Sequence, residues 1–226
     1  MAYQPKIHPL GDNCVTVDFG NEISTELNSR AVALAAYFEA NRFPGFIESV
    51  PAYSSVSIFY DLLEVRQAHP QFKNAFDLVS YLVRGAVTRE SNASPSNMRV
   101  VEIPVDFSDA AALDMESIIE YGGVTRTETI DLFTSQTYRV FMLGFLPGFA
   151  YMGEVDDRIA IPRRDSPRKK VPKGSVGIAG RQTGIYPWES PGGWQIIGRT
   201  DLEMFTPRDE RPSLLQPGDE VRFVMV

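Results

Sequence analysis

The sequence predicts an α+β protein of two domains: an N-terminal α+β sandwich at residues 1–90, a linker at residues 91–98, and a strand-rich C-terminal domain at residues 99–226. The chain of 226 residues is longer than the roughly 150 residues of one typical domain. Sixteen prolines and seventeen glycines indicate many turns, which favours strands over a helical bundle. Residues 91–98 are polar, contain a proline and have few apolar side chains, which is typical of a linker.

An amphipathic helix is predicted to begin near residue 24 in the N-terminal domain. Ser24 is a suitable N-cap, and the Phe-Pro-Gly sequence at residues 43–45 ends the helix. The predicted apolar face recurs at three- and four-residue steps, at Leu27, Ala31, Leu34 and Phe38.

Strands are predicted at residues 14–19, 47–53 and 56–60, and a second helix at residues 72–89. The apolar stripe of that helix is formed by Phe76, Val79, Val83 and Val87. The order is roughly ββαββα, which predicts two helices packed on one sheet.

The C-terminal domain is predicted to be a closed or nearly closed β-barrel. Two short helices, at residues 114–121 and 125–134, follow its first strand, and Thr125 and Glu128 form a capping box. The pair resembles a helix-turn-helix in outline, but it lacks a basic recognition face, so two helices packed on a barrel end are the alternative. Short, glycine-punctuated strands are predicted at residues 99–105, 138–143, 176–179, 195–197 and 220–226.

The composition excludes several classes of site. The single cysteine, Cys14, excludes an intramolecular disulfide and a cysteine-based zinc site, and two histidines, His8 and His69, exclude a His-rich metal site. Nucleophilic catalysis of the Ser-His or Cys-His type is disfavoured for the same reason, and no catalytic residue is identified. Neither a secretory signal nor an apolar run of about 18 residues is present, so we expect a cytoplasmic protein without a membrane span.

The net charge of −7 argues against nucleic-acid binding, but the charge is uneven. Residues 158–181 contain eight basic residues and one acidic residue, Asp165, so this window carries +7. A basic patch on an acidic protein predicts a site for a small anionic substrate, and a solvated basic loop is the alternative.

Three blocks rich in Gly, Pro and aromatic residues stand at residues 144–149, 178–187 and 190–194. Their aromatic side chains are predicted either to wall an apolar pocket or to plug the barrel ends. The predicted pocket-lining or partner-facing residues are Phe145, Pro147, Phe149, Tyr151, Gly192, Gly193 and Trp194. The predicted substrate-binding residues are Arg163, Arg168, Gln182, Thr183, Tyr186, Ser190 and Arg199.

The arginines among these residues suit a carboxylate or a phosphate, because the guanidinium group forms a bidentate fork. Arg163, Arg168 and Arg199 are predicted to point into the cleft, and the Arg199-Thr200-Asp201 segment has a structural ion-pair turn as its alternative. Arg158, Lys169 and Lys170 are predicted to be solvated. No phosphate-binding loop and no dinucleotide fingerprint are present.

The three blocks, together with Pro162-Arg163, Ser166-Pro167-Arg168 and residues 171–176 (VPKGSV), resemble the allophanate hydrolase subunit 1 family. That family includes the kinase A inhibitor (KipI) proteins and the B subunit of ATP-dependent 5-oxoprolinase. The resemblance covers nearly the whole chain and implies an N-terminal α+β domain followed by a C-terminal cyclophilin-like β-barrel. The sequence departs from the family pattern at two places. Residues 104–109 lack the Cys and Gly-Gly that family members usually have there, and Phe133 takes the place of a usual His.

The resemblance implies the B subunit of an ATP-dependent 5-oxoprolinase. It would open 5-oxoproline to glutamate together with the A subunit of that enzyme and with its C subunit, which is related to allophanate hydrolase subunit 2. ATP with Mg²⁺ is implied for the complex, no covalent cofactor is expected, and the isolated chain is expected to be inactive. The alternatives are an inhibitor of a sensor histidine kinase and subunit 1 of an allophanate or urea-amidolyase type of enzyme.

Overall fold

The computed structural model describes residues 5–90 and 99–226. The chain divides into two compact units, Met1–Asn97 and Met98–Val226. The predicted linker at residues 91–98 lies outside the described residues, so the domain limits of 1–90 and 99–226 stay a prediction.

The first unit is built on a four-stranded antiparallel sheet with helices packed on it. Its strands are β1 (Lys6–Pro9), β2 (Cys14–Asp18), β3 (Phe46–Pro51) and β4 (Ser55–Tyr60). The sheet order is β1-β2-β4-β3. Its helices are α1 (Thr25–Ala40), α2 (Leu62–Ala68) and α3 (Ala75–Glu90).

The periodicity of α1 explains why it forms and what it covers. The Ser24 hydroxyl caps the helix by accepting a hydrogen bond from the Leu27 amide, as predicted. The predicted face buries Ala31, Leu34 and Phe38 in the core of this unit.

Helix α2 was not predicted. It has seven residues and buries only Val65, so it leaves no periodic apolar pattern in the sequence. The Asp61 carboxylate starts it by accepting hydrogen bonds from the amides of Leu63 and Glu64. The next helix, α3, begins at Ala75 rather than at residue 72.

The second unit contains the predicted barrel. Seven strands form one sheet: β5 (Val100–Val105), β6 (Tyr138–Leu143), β7 (Ala150–Gly153), β9 (Ser175–Ala179), β10 (Gln182–Ile185), β12 (Gln195–Arg199) and β13 (Glu220–Met225). Two further strands, β8 (Arg168–Val171) and β11 (Ser190–Gly192), pair with each other. The order of the large sheet is β12-β9-β10-β7-β6-β13-β5.

The ends of this sheet meet through Asp106 and Arg199. The Asp106 amide donates to the Arg199 carbonyl at 2.8 Å, and the Arg199 amide donates to the Asp106 carbonyl at 3.0 Å. These two bonds link the ends of β5 and β12, so the sheet is nearly closed, and the predicted α+β fold with a barrel is confirmed.

Helices α4 (Met115–Gly122) and α5 (Arg126–Thr134) pack on the barrel, α4 against β12 and α5 against β13. The predicted capping box of Thr125 and Glu128 is present at the start of α5. The helices therefore cover the barrel, and the helix-turn-helix interpretation is not supported. No helix in the described part of the chain is long and apolar enough to cross a membrane.

Phe133, the residue at the second departure from the family pattern, is part of the barrel core. It is fully buried, and its ring stacks on Phe223 with centroids 4.8 Å apart. The Tyr138 hydroxyl donates to the Phe133 carbonyl at 2.8 Å. The ring at this position therefore has a packing role.

Candidate functional site

One side of the barrel carries a cleft of about 300 Å³. It is formed by the three blocks found in the sequence and by the segment that precedes β8. Its lining consists of Phe145, Phe149, Tyr151, Arg163, Arg164, Pro167, Tyr186, Pro191, Gly192, Gly193 and Trp194.

The floor of the cleft is an aromatic cluster centred on Phe149. The Phe149 ring lies 5.3 Å from Tyr186 and 5.4 Å from Trp194, both edge to face, and 4.9 Å from Tyr151. Phe149, Tyr186 and Trp194 are buried and pack with Val171, Ala179 and Ile196 in a small core of their own. The two alternatives for these aromatics therefore hold together, because the same rings wall the cleft and fill a core.

Gly192 permits the close packing of this cluster. A Cβ atom at residue 192 would lie 2.8 Å from the Cε1 and Cζ atoms of Tyr186, closer than carbon atoms approach. Burial raises the pKa of the Tyr186 phenol, although a hydrogen bond with the Trp194 backbone and the charge of Arg163 oppose this shift. The phenol therefore stays neutral near pH 7.

Arg163 supplies a positive charge that no described residue neutralises. Its guanidinium lies 5.9 Å from the centre of the Trp194 ring, within the range of a cation–π contact. In residues 5–90 and 99–226 it makes no hydrogen bond or ion pair. An unpaired guanidinium above an aromatic floor suits a small organic anion.

Arg164 also lines the cleft, but one nitrogen of its guanidinium group is bound to Asp114. Its Nη1 donates to Asp114 Oδ1 at 2.7 Å, and its buried Nε has no partner in the described part of the chain. Asp114, the residue that precedes α4, therefore contacts an arginine of the cleft wall.

Asp114 is the centre of a buried charge cluster beside the cleft. Arg168 binds it with both nitrogens, Nη1 to Oδ2 at 2.8 Å and Nη2 to Oδ1 at 2.7 Å. The Ile196 amide donates to Oδ2 at 2.7 Å. One carboxylate is shared by Arg164 and Arg168, so the cluster keeps an excess of one positive charge.

The structure brings eight of the sequence-predicted residues together at the cleft: Phe145, Phe149, Tyr151, Arg163, Tyr186, Gly192, Gly193 and Trp194. The other six lie outside its lining: Pro147, Arg168, Gln182, Thr183, Ser190 and Arg199. Of the three arginines predicted to point into one cleft, only Arg163 is in its lining, and Arg168 is bound by Asp114.

Thr183 and Ser190 have local structural roles. The fully buried Thr183 hydroxyl donates to the Gly177 carbonyl at 3.0 Å, inside the barrel. The buried Ser190 hydroxyl donates to the Pro191 carbonyl at 3.3 Å. Gln182 lies in β10, between its ladder partners on β7 and β9.

Arg199 lies at the closure of the barrel. Its backbone pairs with Asp106. Hydrogen bonds from Ser108 lower the pKa of the Asp106 carboxyl, and the charge of Arg199 lowers it further. These contacts give Arg199 a structural role at the closure of the barrel, but its partner is Asp106 rather than Asp201 of the predicted ion-pair turn.

Sequence reasoning missed four residues of this region, namely Asp114, Arg164, Pro167 and Pro191. Pro191 lies inside the third block, Pro167 lies in the Ser166-Pro167-Arg168 motif, and Arg164 directly follows Arg163, so the sequence pattern contained these residues without marking them as cleft lining. Asp114 gives no such signal, because its partners Arg164 and Arg168 follow it by 50 and 54 residues.

Replacement of Arg168 by lysine is expected to lower the free energy of unfolding, because lysine keeps the charge but cannot form the bidentate pair. The expected loss is about 1.5 kcal/mol, which is the lower end of the range for a hydrogen bond to a charged group. Urea unfolding of Arg168→Lys measures this effect. The matched control is Lys170→Ala, which alters an exposed pair with Glu189 and should change the value by less than about 0.5 kcal/mol. An Arg168→Lys protein as stable as the parent would contradict the structural role of this guanidinium.

Comparison with known proteins identifies the family of this chain. Residues 5–215 match the carboxyltransferase domain, subdomain C and D. The chain is similar to the 5-oxoprolinase B subunit of Bacillus subtilis (strain 168), with 43% identity over 100% of this chain and 95% of that protein. It is also similar to the 5-oxoprolinase B subunit of Escherichia coli O157:H7, with 39% identity over 95% of this chain and 93% of that protein.

Among solved structures, the chain is similar to TTHA0988, with a TM-score of 0.80 and 34% identity. The similarity covers 94% of this chain and 40% of TTHA0988, so this chain spans less than half of that protein.

Proposed function

The chain belongs to the family of the carboxyltransferase domain, subdomain C and D, and from this membership we propose that it is the B subunit of an ATP-dependent 5-oxoprolinase that opens 5-oxoproline to glutamate. The near full-length similarity to two 5-oxoprolinase B subunits supports the proposal most strongly. The proposed place of action is the cytoplasm.

The proposed role of the cleft is to hold the organic substrate. 5-Oxoproline has a carboxylate and a small ring with an apolar edge. The unpaired guanidinium of Arg163 binds the carboxylate, and the aromatic floor of Phe149, Tyr186 and Trp194 closes the bottom of the cleft beneath the ring. Binding at two points fixes the orientation of the lactam before it is opened.

The lactam is a poor electrophile, and the energy of ATP makes its opening possible in the complex. In the described residues, no group of three or more His, Cys, Asp or Glu side chains could hold a metal ion. The proposed role of this chain is limited to binding and orienting 5-oxoproline, while ATP and Mg²⁺ are assigned to the assembled complex.

The proposed partners are the other two components of the enzyme, namely its A subunit, and its C subunit, which is related to allophanate hydrolase subunit 2. Phe145 in the first block and Trp188, which lies between the second and third blocks, are exposed aromatic residues. We propose that the cleft side of the barrel is covered by the C subunit, with a total buried area above about 1,200 Å², as stable interfaces require.

Reconstitution tests the proposed function. We expect the chain to co-purify, at micromolar concentration, with the C subunit. It should also be needed for ATP-dependent release of glutamate by the mixture with the A and C subunits. The isolated chain is expected to give no turnover, because the site is completed by its partners. The matched control is the same mixture without this chain.

Three outcomes would contradict the proposal. Robust turnover by the isolated chain would exclude a shared site. A three-component mixture that stays inactive on 5-oxoproline, combined with inhibition of a sensor histidine kinase by this chain, would instead favour the regulatory alternative. Activity on urea or allophanate alone would favour the amidolyase alternative.

A further inference from the structure

The turn after β6 holds Phe145 in an unusual backbone conformation. Its φ angle is +67°, and it is the one non-glycine residue of positive φ within residues 5–90 and 99–226. The Leu146 amide donates to the Gly144 carbonyl at 2.8 Å, which closes a γ-turn around Phe145. A γ-turn of positive φ is rare and strained for a residue that has a Cβ atom.

The turn is fixed at its base. The Gly144 amide donates to the Phe149 carbonyl at 3.1 Å, and the Phe149 amide donates to the Leu146 carbonyl at 2.9 Å. Gly148, with φ of +85°, lies so close to Phe205 that a Cβ atom there would be 2.7 Å from that residue's Cβ. The surrounding contacts therefore fix the conformation of the turn at Phe145.

The side chain of Phe145 itself makes little contact with the described chain. The Phe145 residue is 61% exposed, and its ring contact is an edge-to-face contact with Phe149 at 5.6 Å. A glycine here would remove both the strain and the exposed apolar surface. Strain that persists at the rim of a cleft is typical of a residue that acts on a ligand.

We propose that Phe145 is a substrate-contact residue that packs on the apolar face of the 5-oxoproline ring. This contact lowers the KM of the assembled enzyme for 5-oxoproline. The inference rests on the proposed function. Phe145 lines the same cleft as Arg163, so a ligand held there by its carboxylate lies beside an aromatic ring. Phe149, Tyr186 and Trp194 are already buried among each other, whereas Phe145 has most of its surface available for a ligand.

The test uses three variants in the reconstituted complex. Phe145→Gly removes the ring and the strain, Phe145→Asn removes the ring but tolerates the left-handed conformation, and Phe145→Tyr keeps a ring. We expect the first two to raise the KM for 5-oxoproline about five- to tenfold with little change in kcat, and Phe145→Tyr to recover most of the affinity. The melting temperature of the isolated Phe145→Gly chain should equal or exceed that of the parent, because strain is relieved.

The control is Tyr121→Ala, which removes an aromatic residue of α4 that is 51% exposed, and it should leave the KM unchanged. An active parent complex whose KM does not respond to Phe145→Gly would overturn this inference alone. So would weaker assembly with an unchanged KM, because that result would make Phe145 an interface residue. A correctly assembled parent complex without 5-oxoproline turnover would overturn the proposed function and this inference with it.

Discussion

Replacement of Asp114 by alanine is expected to lower the free energy of unfolding by about 3–4 kcal/mol. The Asp114 side chain is only 2% exposed, and its removal leaves Arg164, Arg168 and the Ile196 amide without their acceptor. The expected value is in the lower part of the range for a broken buried ion pair, because both arginines reach solvent. Urea unfolding with a fitted m-value measures it.

The control for this variant lies on the adjoining helix, α4. Glu116, whose side chain is 87% exposed, makes a long ion pair with Arg126, and Glu116→Ala should change the free energy of unfolding by less than about 0.5 kcal/mol. A loss below about 1 kcal/mol for Asp114→Ala would mean that the cluster does not tie α4 to β8 and β12.

Replacement of Arg163 by alanine is expected to lower kcat/KM for 5-oxoproline in the reconstituted complex by roughly 30- to 150-fold. This corresponds to about 2–3 kcal/mol, the upper part of the range for a hydrogen bond to a charged group. The free energy of unfolding should fall by less than about 1 kcal/mol, because the cation–π contact with Trp194 is lost but Arg163 has no hydrogen-bond or ion-pair partner among the described residues. Arg163→Lys should recover only part of the activity, because an ammonium cannot form the bidentate fork.

Lys169→Ala is the matched control for this prediction, because Lys169 is an exposed cation of the same basic segment outside the cleft lining. We expect it to retain parental kcat/KM. If Arg163→Ala is as active as Lys169→Ala, the carboxylate is bound elsewhere.

Elements with strong local signals could be predicted from the sequence. The stripe and the cap of α1, and the capping box of α5, depend on residues three or four positions apart, and both helices form where expected. Strands β7, β10 and β11 have three or four residues each, so they have no run long enough to reveal alternation. Strand β7 directly follows the first block rich in Gly, Pro and aromatic residues, and β10 and β11 lie inside the second and third blocks.

The site was predictable as far as its parts are adjacent in the sequence. The aromatic blocks and Arg163 could be placed at one cleft, but the basic run does not distinguish Arg163 from Arg168. That difference depends on Asp114, which precedes both by about 50 residues and meets them only after the barrel closes. A long-range ion pair of this kind leaves no pattern in a single sequence.

Fluorine NMR of the assembled complex, with fluorotryptophan in this chain, tests most directly whether the cleft binds the substrate. The chain has two tryptophans, which are Trp194 on the cleft floor and Trp188 over Lys173. Addition of 5-oxoproline is expected to shift the Trp194 resonance in a saturable way, to leave that of Trp188 in place, and to have no effect in the Arg163→Ala complex. A Trp194 resonance that stays unmoved at a substrate concentration that saturates turnover would contradict the assignment of this cleft as the 5-oxoproline site.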